Sequence, residues 1–343
     1  MNRFEWTSAR VLAAAAREGC VTVADAMLTQ SGRPATNAVI LKAGGIDVLD
    51  LMKAGLLNPR RVVNLRDIPE LGQIVEAPGE TLRIGSMVTL AQLAQHPLVR
   101  ARYSALAQAA GQSASPQIRQ VATIGGNLLQ RPRCWYFRSV YHHCLRKGGE
   151  ACFAFAGENQ YHAVFGHNGC AIVHPSTTAT ALVAFNAKAE LVSTQDAKRV
   201  VALESFFLMP DQDIERENDL KPGEILTTVV LPPSKPGVHS SYLRQGEQDS
   251  FDWPVADVVV VIDVDSDGIC RHASVVLGAA APVPYRVKGA ESALVGKRIS
   301  EDIARSAATA AIVGAVPLSK NAYKLPLFDA LVKRTILSAA SGA

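Results

Sequence analysis

The chain has 343 residues, 48% of them hydrophobic, which is too long for one ordinary core and predicts two or three globular domains. Its longest apolar runs, at 11–16 and 258–262, fall well short of the roughly 18 residues that span a bilayer, and neither has the length of a secretory signal. The 35 basic and 31 acidic residues give a net charge of +4 with scattered positions, which does not favour a nucleic-acid partner.

The N-terminal region contains the first candidate binding loop. A helix is predicted at 22–30, ended by Ser31-Gly32-Arg33-Pro34, then a short strand at 38–41 and a helix at 47–53. Ala43-Gly44-Gly45 thus stands at a strand-to-helix turn, where free backbone N–H groups and the helix dipole favour phosphate. Taken alone, such a glycine pair is more often a plain turn.

A second candidate loop follows a helix predicted near 101–110. Ser113-Ala114-Ser115 and Thr123-Ile124-Gly125-Gly126-Asn127 supply hydroxyls, an amide and small residues around Arg119. Glycine lets a backbone approach a ligand closely, although a tight turn would use the same residues. The two loops together favour a bound dinucleotide.

The C-terminal part is predicted to form a separate sheet after Leu231-Pro232-Pro233. Strands at 255–264 and 272–278, joined by the turn Asp265-Ser266-Asp267-Gly268, read as a hairpin. Helical spacing at 300–313 follows a Ser300 cap. We expect three or more strands with helices on one face.

Four of the six cysteines fall in one 37-residue window, with nine, seven and seventeen residues between successive members: Cys134, Cys144, Cys152 and Cys170. Four thiolates are a full ligand set for a 4Fe-4S cluster or a tetrahedral zinc. Zinc ligands usually come in pairs two to four residues apart, so iron–sulfur is favoured. A disulfide or buried free thiols remain the alternatives.

The other cysteines and the nearby histidines are weaker candidates. Cys20 and Cys270 stand apart in sequence, where a lone cysteine usually behaves as a small apolar residue. Four histidines of the middle region could each replace a thiolate but none is required: His142, His143, His162 and His174.

Taken in order, these motifs resemble a known family. Ala43-Gly44-Gly45-Ile46-Asp47, Gln117-Ile118-Arg119, the run from Thr123 to Arg131, Cys134, Cys170 and His174-Pro175-Ser176 are similar to the FAD-binding medium subunit of the xanthine dehydrogenase and molybdenum hydroxylase family. The cysteine insertion is similar to that of the flavin subunits of periplasmic aldehyde oxidoreductases and 4-hydroxybenzoyl-CoA reductases, which hold an extra 4Fe-4S cluster near the flavin.

The resemblance implies roles for individual residues. Ala43, Gly44, Gly45, Ile46 and Asp47 would wrap the FAD pyrophosphate. The remaining contacts to FAD would come from Ser115, Thr123, Gly125, Gly126, Asn127, Ser176 and Arg244, and the cluster ligands would be Cys134, Cys144, Cys152 and Cys170. The chain departs from the family at Thr177, where an aspartate is expected, and at Glu247, in a stretch richer in arginine among relatives.

The resemblance also implies the fold class and the domains. The fold would be α+β, with an FAD-binding fold of two α+β subdomains, of the PCMH and CO dehydrogenase flavoprotein type, plus a C-terminal antiparallel sheet with helices. We expect the FAD-binding domain at 1–230, with the cysteine-rich 4Fe-4S insertion at about 131–171, and the C-terminal domain at 236–343.

The function implied is electron transfer within a molybdenum hydroxylase that oxidises an aldehyde or an N-heterocycle. A large molybdenum-cofactor subunit and a small 2Fe-2S subunit would complete a heterotrimer or a dimer of heterotrimers, and FAD would pass electrons to an external acceptor. The cytoplasm is the default compartment, and export beside a signal-bearing partner would place the complex in the periplasm.

Two other functions stay open at this stage. One is a stand-alone FAD oxidoreductase with His162 or His174 as a general base above the flavin. The other is a non-catalytic scaffold whose four cysteines hold a metal and which has lost FAD.

Overall fold

The computed structural model describes residues 1–19, 21–27, 35–194, 197–248 and 251–342. Within these ranges the chain forms three β-sheets, and the segments between them carry fourteen α-helices. No helix in the described part combines the length and the apolar character that a membrane span requires. Cys20 and the expected helix break at 31–34 lie outside the described residues.

The first sheet is small and parallel. Its strands β1 (Glu5–Ser8), β2 (Val39–Lys42) and β3 (Arg61–Asn64) lie in the order β1-β3-β2. Parallel neighbours need crossover connections, and helices α1 (Leu12–Glu18), α2 (Val23–Met27) and α3 (Ile46–Lys53) provide them. The strand and the helix expected around Ala43-Gly44-Gly45 are therefore both present.

The second sheet has five antiparallel strands and carries the middle of the chain. The strands β4 (Ile74–Ala77), β5 (Thr81–Gly85), β6 (Lys188–Val192), β7 (Lys198–Ala202) and β8 (Ile225–Leu231) lie in the order β4-β5-β8-β6-β7. Its helices are α4 (Leu90–Gln95), α5 (Pro97–Arg102), α6 (Ser104–Gly111), α7 (Pro116–Arg119), α8 (Ile124–Leu128), α9 (Trp135–Arg138), α10 (Thr177–Ala184) and α11 (Leu203–Phe206).

Two helices stand where one was expected near 101–110. The interruption is at Tyr103, whose buried ring packs edge-on against Phe185 and whose hydroxyl donates to the Pro232 carbonyl at 2.6 Å. These contacts are with residues more than 80 positions away in sequence, so no local sequence pattern could predict the interruption of the helix.

The third sheet is the C-terminal antiparallel one, confirmed as expected. Its strands β9 (Val238–Gln245), β10 (Ala256–Val264), β11 (Cys270–Gly278) and β12 (Tyr285–Arg286) lie in the order β12-β11-β10-β9. Helices α12 (Lys288–Leu294), α13 (Glu301–Ala311) and α14 (Lys324–Ser341) follow. The predicted hairpin is β10–β11, and the Ser300 side chain accepts the Ile303 N–H as the predicted cap.

Helices cover both faces of this sheet, not one. Val258 and Val260 of β10 pack with α12–α14, whereas Val259 and Val261 join the core of the middle region with α6 and α10. A strand buried on both faces reads as a continuous apolar run, which explains the uninterrupted valines of β10. The C-terminal sheet therefore shares one core with the region that bears the second candidate loop.

Candidate functional site

A cavity of about 480 Å³ lies between the two candidate loops, within the range of small-molecule and cofactor sites. Eleven of the twelve residues expected to contact a cofactor line it: Ala43, Gly44, Gly45, Ile46, Asp47, Ser115, Thr123, Gly125, Gly126, Asn127 and Arg244. The twelfth, Ser176, is buried one residue from Pro175 and Thr177, which line the cavity. The structure thus brings these residues together, and their contact with a cofactor stays a prediction.

The first loop is shaped by its two glycines. Gly45 precedes the first turn of α3 with φ +89°, a left-handed conformation that glycine adopts without strain. Gly44 must lack a side chain for another reason, because a Cβ there would lie 2.3 Å from the Val121 carbonyl oxygen. The loop can therefore lie directly against the second loop.

The second loop combines close approach with two hydroxyl caps. A Cβ on Gly125 would lie 2.7 Å from the Ser86 Cβ, so this residue also depends on having no side chain. The Thr123 hydroxyl accepts the Gly126 N–H at 3.2 Å, and the Ser115 hydroxyl accepts the Ile118 N–H at 3.3 Å. Since a capping oxygen accepts, each hydroxyl keeps its own hydrogen for donation to a ligand.

Arg119 shapes the backbone of the 113–115 segment. Its guanidinium donates to the carbonyl oxygens of Ser113 at 3.1 Å and Ala114 at 2.5 Å. Ala114 has φ +51°, an uncommon conformation for a residue with a side chain. Arg119 is thus placed to hold this segment of the cavity wall in shape.

Asn127 is held from behind by hydroxyls. Its Oδ1 accepts from Ser176 Oγ at 2.5 Å and from Thr178 Oγ1 at 2.6 Å. The amide NH2 therefore remains the donor that Asn127 can offer to the cavity. Ser176 acts here by orienting Asn127, and its oxygen also accepts the Ala179 N–H at the start of α10.

Asp47 is engaged by arginines from the start of the cysteine-rich segment. Its carboxylate lies 2.9 Å from Arg133 and 2.6 Å from Arg138, and it accepts the backbone N–H of Arg131 at 2.8 Å. The carboxylate beside the glycine loop is thus neutralised by neighbours. Asp47 ties the first loop to the segment that carries the cysteines.

The two departures from the family pattern have clear contacts. Thr177 lines the cavity and shares a 2.6 Å hydrogen bond with Ser113, so a neutral hydroxyl joins α10 to the second loop. Glu247 accepts a hydrogen bond from the Tyr161 hydroxyl. Arg244 lines the cavity and donates to the Gln112 carbonyl at 2.9 Å.

A second, smaller cavity contains the cysteines. Cys134, Cys144, Cys152 and Cys170 all line it, and each is a free thiol. Cys134 stands immediately before α9, and the other three come from the segment between α9 and α10, which holds one short helical turn at Leu145–Lys147. The 139–176 segment is fixed in part by the Asn159 side chain, which bonds the Ala154 carbonyl and the Lys320 N–H.

The polar neighbours of these thiols favour a buried anionic sulfur. A hydrogen bond from Cys152 lowers the pKa of Cys170, and the Arg146 guanidinium lowers it further. Burial raises the pKa of Cys134 to about 12, and it also raises that of Cys144. Burial of these thiols beside two cations, Arg146 and Lys147, does not favour four free thiolates without further positive charge.

Metal binding by these cysteines stays a prediction. Across the described residues, no group of three or more His, Cys, Asp or Glu side chains is arranged to hold a metal ion. The four cysteines nevertheless line one cavity, which is where the sequence-based prediction would place the cluster.

The histidines do not line the large cavity. His162 lines the cysteine cavity, with its Nε2 3.2 Å from Cys134 Sγ, and burial lowers its pKa to about 4. His174 packs against Phe207, and burial lowers its pKa to about 3. Neither is therefore positioned as a base above a ligand in the large cavity. Cys270 is buried in β11, in keeping with an apolar role.

Sequence reasoning missed two buried charged residues, Arg146 and Glu217. Arg146 lines the cysteine cavity, Glu217 lines the large one, and they form an ion pair at 2.8 Å. Arg146 lies in the predicted insertion, but its partner is 71 residues away. A lone arginine between two cysteines was the available signal, and it did not reveal the partner.

Comparison with known proteins gives consistent matches. The family described as the FAD binding domain in molybdopterin dehydrogenase matches residues 20–234, and the CO dehydrogenase flavoprotein C-terminal domain matches 241–339. The chain is 32% identical to the FAD-binding subunit PaoB of an aldehyde oxidoreductase from Escherichia coli K12, over 92% of this chain and 94% of the relative.

Solved structures agree with these matches. Carbon monoxide dehydrogenase from Hydrogenophaga pseudoflava contains a chain that is 25% identical, with a TM-score of 0.72 over 99% of this chain and 98% of that one. Quinoline 2-oxidoreductase from Pseudomonas putida 86 contains one with a TM-score of 0.74 over 100% and 98%, at 23% identity, which speaks for the fold alone.

Proposed function

We propose a function for this chain from one premise: it belongs to the family of FAD-binding medium subunits of xanthine dehydrogenase and carbon monoxide dehydrogenase. It is accordingly an FAD-binding oxidoreductase subunit of the molybdenum hydroxylase type. The finer proposal is that it is an electron-transfer subunit in which FAD and a 4Fe-4S cluster lie side by side.

The observation that carries the proposal is the convergence of four cysteines on one cavity, next to the cavity lined by both glycine loops. FAD exchanges electrons in pairs or singly and an iron–sulfur cluster exchanges them singly, so together they form a relay. Cys134, Cys144, Cys152 and Cys170 would supply the four ligands, and no Asp or Glu is among the described residues that line their cavity.

For FAD, the proposal assigns binding to donors of the two loops. Backbone N–H groups around Gly44 and Gly45 would receive the pyrophosphate, with the hydroxyls of Thr123 and Ser115 and the amide of Asn127 as further donors. Ser176 would orient Asn127. Asp47 would act through its arginines, because a bare carboxylate beside a pyrophosphate would repel it.

The partners follow from what this chain lacks. Beyond the four clustered cysteines its sequence holds two more, Cys20 and Cys270, too few for the two 2Fe-2S clusters that a molybdenum hydroxylase uses. We therefore assign those clusters to a small subunit and substrate oxidation to a large molybdenum-cofactor subunit. Electrons from an aldehyde or N-heterocycle would reach FAD in this chain and leave to an external acceptor.

The test is anaerobic purification with the partner subunits, followed by iron, zinc and flavin analysis and electron paramagnetic resonance of the reduced sample. Wild type is compared with Cys152→Ser, and Cys270→Ser is the control because Cys270 is buried in β11, away from the cluster cavity. We expect one FAD and about four irons per chain beyond those of the partners, with a signal lost in Cys152→Ser alone.

Other outcomes would reject parts of the proposal. Zinc in place of iron would show that the cysteine cavity is a structural metal site. A complex that turns over at full rate without flavin would reject electron transfer through FAD. A purified chain without flavin absorbance would instead support a metal-holding scaffold.

A further inference from the structure

A buried ion pair joins the two cavities. Arg146 and Glu217 have side chains that are 1% and 3% exposed, and Arg146 Nη1 lies 2.8 Å from Glu217 Oε1. Arg146 lines the cysteine cavity and Glu217 lines the large cavity. The pair therefore stands between the two groups proposed above.

Arg146 also reaches the cysteines directly. Its Nε donates to Cys170 Sγ at 3.4 Å. Its Nη2 is buried, and no partner for it is found among the described residues. A guanidinium has five N–H donors, and leaving one of them buried without an acceptor is unfavourable. The cavity wall thus holds a cation with a donor still to be satisfied.

An anionic iron–sulfur cluster would satisfy it. Burying a charged guanidinium is costly unless its partners are close, and here one carboxylate and one sulfur are the partners that the structure shows. Bound thiolates and sulfides would add acceptors on the side of the cavity. The potential of such a cluster depends on net charge and on hydrogen bonds to its sulfurs.

We propose that Arg146 raises the reduction potential of the 4Fe-4S cluster by donating hydrogen bonds to Cys170 and the cluster, and that Glu217 holds Arg146 in place while lowering that potential. This inference rests on the proposed cluster. Reduction adds one electron and hence one negative charge to the cluster. Arg146 stabilises that charge, whereas the Glu217 carboxylate opposes it.

The two residues therefore have opposite expected effects. Arg146→Gln removes the positive charge and should shift the cluster potential downwards. Glu217→Gln keeps the size and polarity of the side chain, removes the negative charge and should shift the potential upwards. Damage to packing alone gives no reason for the reduction potential to shift in opposite directions in the two variants. Arg83→Gln is the matched control, because Arg83 pairs with Glu190 at 2.7 Å and lines neither cavity.

The experiment is a redox titration of the whole complex with its partner subunits, read by the resonance signal that Cys152→Ser removes. Iron content is measured first on every variant. Wild type without the additional iron overturns the proposed cluster and this inference with it. Iron at the wild-type level, with opposite shifts in the two variants and none in Arg83→Gln, supports the inference.

Normal iron content with unchanged potentials, or with shifts of the same sign, overturns the inference and leaves the proposed cluster in place. If Arg146→Gln fails to hold the cluster, Glu217→Gln carries the test, and a potential no higher than wild type overturns the inference. Turnover is not needed for any of these outcomes.

Discussion

Replacing Gly44 with alanine tests the geometry of the large cavity between the two loops. The new Cβ would lie 2.3 Å from the Val121 carbonyl oxygen and 3.2 Å from the Ala122 Cα. Both are backbone atoms, which cannot rotate away as a flexible side chain would. Either the strain is retained, or the first loop moves away from the second loop.

The expected cost is about 1–3 kcal/mol, the usual range for inserting a methyl group into a packed site. Gly44 has no left-handed φ, so backbone strain does not add to this figure. If the loops separate, the cost falls on cofactor binding and raises the FAD dissociation constant by about 5- to 150-fold, since 1.4 kcal/mol is a factor of ten. If they stay together, the free energy of unfolding falls by the same amount.

The assay measures both quantities on one preparation, namely FAD affinity by titration of the deflavinated protein and the free energy of unfolding in urea without FAD. Gly72→Ala is the control, because Gly72 has no heavy atom within 4 Å of the added Cβ and no left-handed φ. A Gly44→Ala protein that matches wild type in both measurements would refute the contact between the loops.

Two further predictions concern charge. Burial lowers the pKa of His174 to about 3, while an unfolded histidine titrates near 6.5, so the unfolded state takes up the proton first. The free energy of unfolding should therefore fall as pH drops from about 6.5 to about 3. In urea denaturation, His174→Gln should make that free energy depend less on pH, and an unchanged pH dependence would contradict the prediction. Asp47→Asn leaves Arg133 and Arg138 without their most buried shared carboxylate and should cost roughly 3 kcal/mol, whereas Asp50→Asn, which removes a 54%-exposed partner of the same arginines, should cost less than about 1 kcal/mol. Equal losses would show that burial does not set the strength of these pairs.

The parts of the site that the sequence predicted depend on local chemistry. Thr123 and Ser115 were predictable as helix caps because a cap acts within three residues. The β10–β11 hairpin and the Ser300 cap were predictable for the same reason. The glycine pairs indicated where a backbone can come close, although the residues that approach Gly44 and Gly125, namely Val121 and Ser86, are distant in sequence. The cysteine set was predictable from composition, although its convergence on one cavity required the fold.

The parts that were missed depend on contacts between distant residues. Tyr103 interrupts a helix through Pro232, and Arg146 meets a carboxylate 71 residues away. The second face of the C-terminal sheet is covered by α6 and α10, which precede it by many residues. Rules of propensity and spacing describe neighbours in sequence, so they cannot predict such pairs, which only the three-dimensional structure shows.

The contacts of Asp47 change what its predicted place at the pyrophosphate would mean physically. The resemblance places this residue at the pyrophosphate, and it does line the cavity. Its carboxylate, however, is shared by Arg133 and Arg138, and it accepts the N–H of Arg131, all from the first residues of the cysteine-rich segment. Asp50 pairs with the same two guanidiniums, so the two arginines balance the two carboxylates. An unpaired Asp47 carboxylate would repel a pyrophosphate, and the arginines offset that repulsion. The segment that carries the cysteines thereby supplies the positive charges that neutralise Asp47 beside the first loop.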